Sequence, residues 1–106
     1  MTDIDPRDCA TMAELRDVID RLDRDLVAVL ALRQRCIARA AELKPSEGLP
    51  ADIPARVEDV LQKVGVSADA QGVDRELMTQ IWKQLIRWSI RYEETLMAQT
   101  GRNEGN

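Results

Sequence analysis

Histidine and phenylalanine do not occur in this chain of 106 residues, and its aromatics are two Trp and one Tyr. Without histidine there is no imidazole base and no Ser–His or Cys–His constellation for covalent catalysis. The two cysteines, Cys9 and Cys36, are too few for a disulfide scaffold and do not form a close metal-binding pair. A zinc site is not expected, nor is any other metal or cofactor. No glycine-rich phosphate loop occurs either. Long apolar runs are missing: the longest, Leu26 to Leu32, falls far short of a membrane span. The N-terminal Met1-Thr2-Asp3-Ile4-Asp5 is acidic and lacks the basic start and apolar run of a signal peptide. A cytoplasmic protein with reduced thiols and no membrane partner is expected. The formal net charge of −4 argues against a general nucleic-acid surface but leaves room for a local basic pocket.

What remains suits helices. The core must come from Leu, Ile, Val, Ala and Met, and charged residues make up 32% of the chain, as long solvated helices require. The length fits one domain, residues 1–106, with a lead-in (1–10) and a tail (101–106) expected to be flexible.

The longest pattern runs from Thr11 to Lys44. Leu15, Ile19, Leu22, Leu26, Val29, Leu30, Ile37, Ala40 and Ala41 recur at helical spacing. Thr11 followed by Glu14 reads as a capping box, and Lys44-Pro45 marks the end. Such a helix would be about 50 Å long, whereas a compact chain of this size has a radius of gyration of about 13 Å. Its apolar stripe therefore needs a second chain, most simply in a symmetric dimer. Pro45 to Ile53 reads as a loop. A short helix is expected from about Pro54 to Lys63, with Gly65 as its C-cap, then a loop from Ser67 to Gly72. A third helix starts near Asp74 and stops before Gly101. Its stripe is Leu77, Met78, Ile81, Trp82, Leu85, Trp88, Ser89, Tyr92 and Leu96.

Several polar residues fall on or beside these apolar faces. Arg33 and Lys44 share nearly one face of the first helix, and Arg16 lies beside its stripe. Arg56 opens the second helix, where a base opposes the helix dipole. Ser89 and Glu93 are one turn apart on the third. Singly, each has a plain explanation: Glu93 pairs with Arg33 or Lys44, and Arg16 and Arg56 are solvated. Together, several cations turned toward the core of an acidic protein read as a pocket for a small dianion. An enzyme with this inventory would work by positioning and electrostatics.

The run Leu15-Arg16, Ile19-Asp20, Leu22-Asp23, Leu26, Leu30, Arg33 and Lys44 resembles the first helix of the all-helical chorismate mutases. It looks closer still to their relatives, the isochorismate–pyruvate lyases, with which Asp8-Cys9 and Lys44-Pro45-Ser46-Glu47 also agree. The likeness covers roughly residues 8–97. It implies an all-α fold of three helices, long, short and medium, in an intertwined homodimer with active sites shared between chains. Lys44, Arg33 and Glu93 would be the catalytic residues. Arg16, Arg33, Lys44, Arg56, Ser89 and Glu93 would bind the substrate, chorismate or isochorismate, with Arg16 reaching into the partner's site. Lys44 would meet a carboxylate and the ether oxygen of the breaking bond.

Three positions depart from the mutase pattern. Glu93 stands where Gln is common, so it must either be protonated, with activity rising toward acidic pH, or neutralise Lys44. Ile53 and Val57 stand where mutases carry acids that bind the ring hydroxyl. Asp52 or a backbone carbonyl could substitute. The resemblance thus implies chorismate mutase activity first, isochorismate–pyruvate lyase activity second, and a non-catalytic helical dimer third.

Overall fold

The computed structural model describes residues 4–104, and the side chains of residues 4–101. Its elements are a 3-10 turn at Pro6–Asp8, helix α1 at Met12–Leu43, a 3-10 turn at Pro45–Glu47, helix α2 at Pro54–Gln71 and helix α3 at Arg75–Glu104. Among the described residues there is no strand, so the all-α class expected from the sequence holds. The chain divides into two compact units, Met1–Arg35 and Cys36–Asn106, and α1 runs from the first into the second.

In the first unit, Asp5 accepts the Arg7 amide at 2.9 Å, which gives the lead-in a short turn before the helix. Thr11 then caps α1: its Oγ1 accepts the Glu14 amide at 3.2 Å. Glu14 reaches back one residue further than an ideal capping box, to the Ala10 amide at 2.8 Å. Beyond the cap, the apolar stripe stays open to water. Ile19 is 45% exposed, Leu26 55% and Val29 56%. Arg16 lies on the exposed surface and Arg33 is half-buried.

The second unit begins in α1 and is dominated by α2 packed on α3. Lys44 extends the hydrogen bonding of α1, its amide bonding the Ala40 carbonyl at 2.9 Å, and it keeps helical dihedrals (φ −58, ψ −43) even though Pro45 follows. The bias against helical geometry before proline is outweighed here by that bond and by the turn that follows.

α2 is longer than the sequence suggests. Gly65 does not cap it but sits buried within it, and the helix runs on through Ala68 and Ala70 to Gln71. Gly72 supplies the cap at φ +71, with the Val73 amide bonding Ala68 O at 2.9 Å and the Gly72 amide bonding Asp69 O at 3.4 Å. That is the paired arrangement of a Schellman cap. Gly65 lies under the Arg75 side chain rather than at a turn: a Cβ there would come 2.7 Å from the guanidinium carbon, which is free to shift, and Arg75 reaches Asp69 at 3.1 Å.

Asp74 precedes α3, and its Oδ1 accepts the Glu76 amide at a long 3.4 Å. The helix continues through Gly101 to Glu104, past the point where the sequence pattern places its end. Gly101 takes ordinary helical angles, and one such glycine costs only about 1 kcal/mol. The third helix thus ends later than expected, and residues 105–106, like 1–3, lie outside the described residues. On α3 the buried edge is Ile86, Ser89 and Glu93, whereas Leu77, Ile81 and Trp88 remain about half exposed. Trp88 stacks on Tyr92, with centroids 4.9 Å apart. No helix among the described residues is long and apolar enough to cross a membrane.

The caps give two expected losses. Gly72→Ala should lower unfolding free energy by about 1 kcal/mol, because an L side chain is strained at positive φ. Thr11→Ala should cost about 1 kcal/mol through the lost cap. Urea denaturation followed by circular dichroism checks both.

Candidate active site

Three of the residues singled out by sequence meet in the second unit. Lys44, at the end of α1, places its Nζ 2.6 Å from Glu93 Oε1 on α3. The same ammonium donates to the carbonyl of Ala51 at 2.8 Å. The two side chains are 17% and 6% exposed, so this is a largely buried ion pair. The Glu93 contact is short but off-axis: Oε1 is buried and accepts no well-directed hydrogen bond. The attraction is thus that of charge to charge, while the directed bond goes to Ala51. Ser89, one turn before Glu93, is equally buried, and its Oγ donates to Leu85 O at 2.8 Å.

This arrangement places Glu93 beside the Lys44 ammonium. Lys44 is not a cation without a counter-ion. An acidic side chain stands against it, and a largely buried charge is costly without such a partner. Sequence reasoning missed Ala51, since a main-chain acceptor leaves no trace in residue type.

Arg56 takes no part in this cluster. Its Nη1 meets Asp59 Oδ2 at 2.6 Å on the exposed start of α2, and Lys63 meets the same oxygen at 3.0 Å. Lys63 first, then Arg56, hold the Asp59 carboxyl below its usual range by hydrogen bonding. The sign is that of a depressed acid: the small contribution is present above the ordinary carboxylate range and fades as pH falls through the lowered value. Arg56 is thus held at the surface by a partner it can leave at little cost. Arg16 and Arg33 belong to the first unit, Arg16 exposed and Arg33 half-buried.

Beside the cluster, in the same unit, lies a cleft of about 260 Å³ lined by Ala38, Ala41, Glu42, Tyr92, Leu96, Gln99 and Thr100. None of the cationic residues weighed above lines it. Among the described residues no group of His, Cys, Asp and Glu is placed to hold a metal ion.

The chain is all-helical among its described residues, with a largely buried lysine at the end of its first helix. Residues 15–94 match the family model of chorismate mutase type II, and the chain belongs to that family. It is 35% identical over 86 residues to an isochorismate pyruvate lyase of Pseudomonas aeruginosa, covering 80% of this chain and 83% of that protein. It is 33% identical over 84 residues to a T-protein of Enterobacter agglomerans, covering 79% of this chain but 22% of the relative. A bifunctional chorismate mutase/prephenate dehydratase of Aquifex aeolicus is 25% identical over 88 residues, 80% of this chain and 24% of its own length.

The ion pair makes a specific demand on stability. Lys44→Met should cost about 3 kcal/mol by leaving Glu93 buried without its cation, and Lys44→Met/Glu93→Leu should recover most of that loss. Equal losses in the single and double variants, by urea denaturation, would show that a stranded Glu93 is not the source of the cost.

Proposed function

We propose that the protein is a chorismate mutase acting in the cytoplasm as a homodimer with sites shared between the two chains. It rearranges chorismate to prephenate in one pericyclic step. The observation that carries the reading is the buried Lys44 ammonium, fixed by Glu93 and the Ala51 carbonyl in a chain of this family. A pericyclic step needs no covalent intermediate. It needs the enolpyruvyl group held over the ring and negative charge on the breaking ether oxygen stabilised. An ammonium has three donors, and the Ala51 bond uses one, so Lys44 keeps capacity for that oxygen. Arg33 and Arg16 clamp the two carboxylates, Arg16 from the partner. Arg56 leaves Asp59 to assist at a carboxylate, and Ser89 completes the pocket wall. The exposed apolar stripe of α1 supports the dimer, because a patch this large on a monomer is unusual.

A second reading, isochorismate–pyruvate lyase, is favoured by two observations. The lyase relative is matched over most of its length. Ile53 and Val57 also replace the acids that bind the chorismate ring hydroxyl in mutases.

Purified protein given chorismate should form prephenate. Given isochorismate, it should form fluorescent salicylate only if the second reading holds. Arg33→Ala should abolish turnover while the helical circular dichroism persists. Formation of neither product would overturn both readings. Glu93→Gln should raise kcat/KM at neutral pH by about tenfold, since an amide can donate to the ether oxygen and does not repel the dianion. A fall in kcat/KM would show that the carboxylate itself serves the reaction.

A further inference from the structure

Lys44 is held at both ends by the loop that follows it. Its carbonyl accepts two amides of that loop, Glu47 at 3.1 Å and Leu49 at 2.9 Å. Its ammonium closes on the Ala51 carbonyl at 2.8 Å, and Ala51 is itself buried. Between these points the chain reverses at Gly48, which adopts left-handed angles (φ 69, ψ 26) and bonds the Pro45 carbonyl through its amide. Pro45 and Pro50 flank the turn, fix their own φ and give no donors. Gly48 is therefore the one loop position among residues 45–51 with a positive φ.

We propose that Gly48 is a positioning residue for Lys44: its left-handed turn sets the register of loop 45–51, and so where the Ala51 carbonyl holds the ammonium. The inference rests on Lys44 as the group that meets substrate. Gly48 itself touches nothing in the cluster. A Cβ built there meets no atom within 4 Å, so a side chain would strain the backbone without any clash. Its effect must pass through the loop.

Gly72 provides a matched control. It too is left-handed (φ 71) with open space at its Cβ, but its bonds go to Ala68 and Asp69 at the end of α2. Valine at either glycine carries the same backbone strain, and only at Gly48 does that strain reach Lys44.

The experiment compares Gly48→Val, Gly48→Asn and Gly72→Val in full-length protein labelled with nitrogen-15. One readout is the Lys44 ammonium signal of the ligand-free protein, identified by its loss in Lys44→Met. The other is turnover of chorismate and isochorismate. Gly48→Val should broaden or shift the ammonium signal and lower kcat by at least about tenfold. Gly48→Asn should restore both, because asparagine tolerates left-handed angles. Gly72→Val should lose thermal stability with signal and kcat unchanged. If Gly48→Val does not fold, Gly48→Ala carries the same expectation in smaller measure. A wild-type ammonium signal in Gly48→Val, or equal disturbance from Gly72→Val, overturns the proposal. If the wild-type protein turns over neither substrate, the functional reading fails while the ammonium signal still decides this one.

Discussion

A lysine taken largely out of water must bring a counter-charge with it, and much of the second unit is arranged around that requirement. Lys44 comes at the last turn of one helix, Glu93 from the middle of another, and Ala51 from the loop between α1 and α2. Desolvating two charges is expensive, and their mutual attraction repays it only where geometry is good and spare donors are satisfied. Here the directed bond goes to a neutral carbonyl and the close approach to a carboxylate. The ammonium is thereby fixed in place without a second directed bond.

In the proposed function, so plain an inventory is sufficient for the chemistry. A concerted rearrangement asks the protein for shape and field, and for no proton relay. Fixed cations supply the field, and their number relative to nearby acids sets its strength. Glu93 lowers that strength at Lys44. Arg56, paired with exposed Asp59, and Lys63 on the same carboxylate lie at the surface, where water screens them. The contrast is between one cation held by the fold and another held only by a neighbour on its own helix.

The periodic features are legible in the sequence and the exceptions are not. α1 is read almost to the residue, because Thr11 and Pro45 bound an uninterrupted stripe. The end of α2 is misread at Gly65, since a glycine that ends a helix and one that admits a neighbouring guanidinium look alike in one dimension. Gly101 misleads in the same way. Ile86 is buried although the pattern does not mark it, and Leu77, Ile81 and Trp88 are marked but exposed. A stripe shows which face is apolar without showing which edge of it the chain itself covers. In the candidate site, Lys44, Ser89 and Glu93 are recognisable as polar intrusions on apolar faces, while a main-chain acceptor such as Ala51 O leaves no signature. The Asp59 clasp on Arg56 is equally invisible, because an i, i+3 pair looks like any solvated helix face.

Surface loops are normally where a lineage tolerates added or deleted residues. The segment after α1 is a poor place for them. A side chain of fixed reach spans from Lys44 to Ala51, like a strut across a bracket, and one extra residue would lift the carbonyl out of range. Changes in chain length would be absorbed poorly in the brief stretch joining the first two helices.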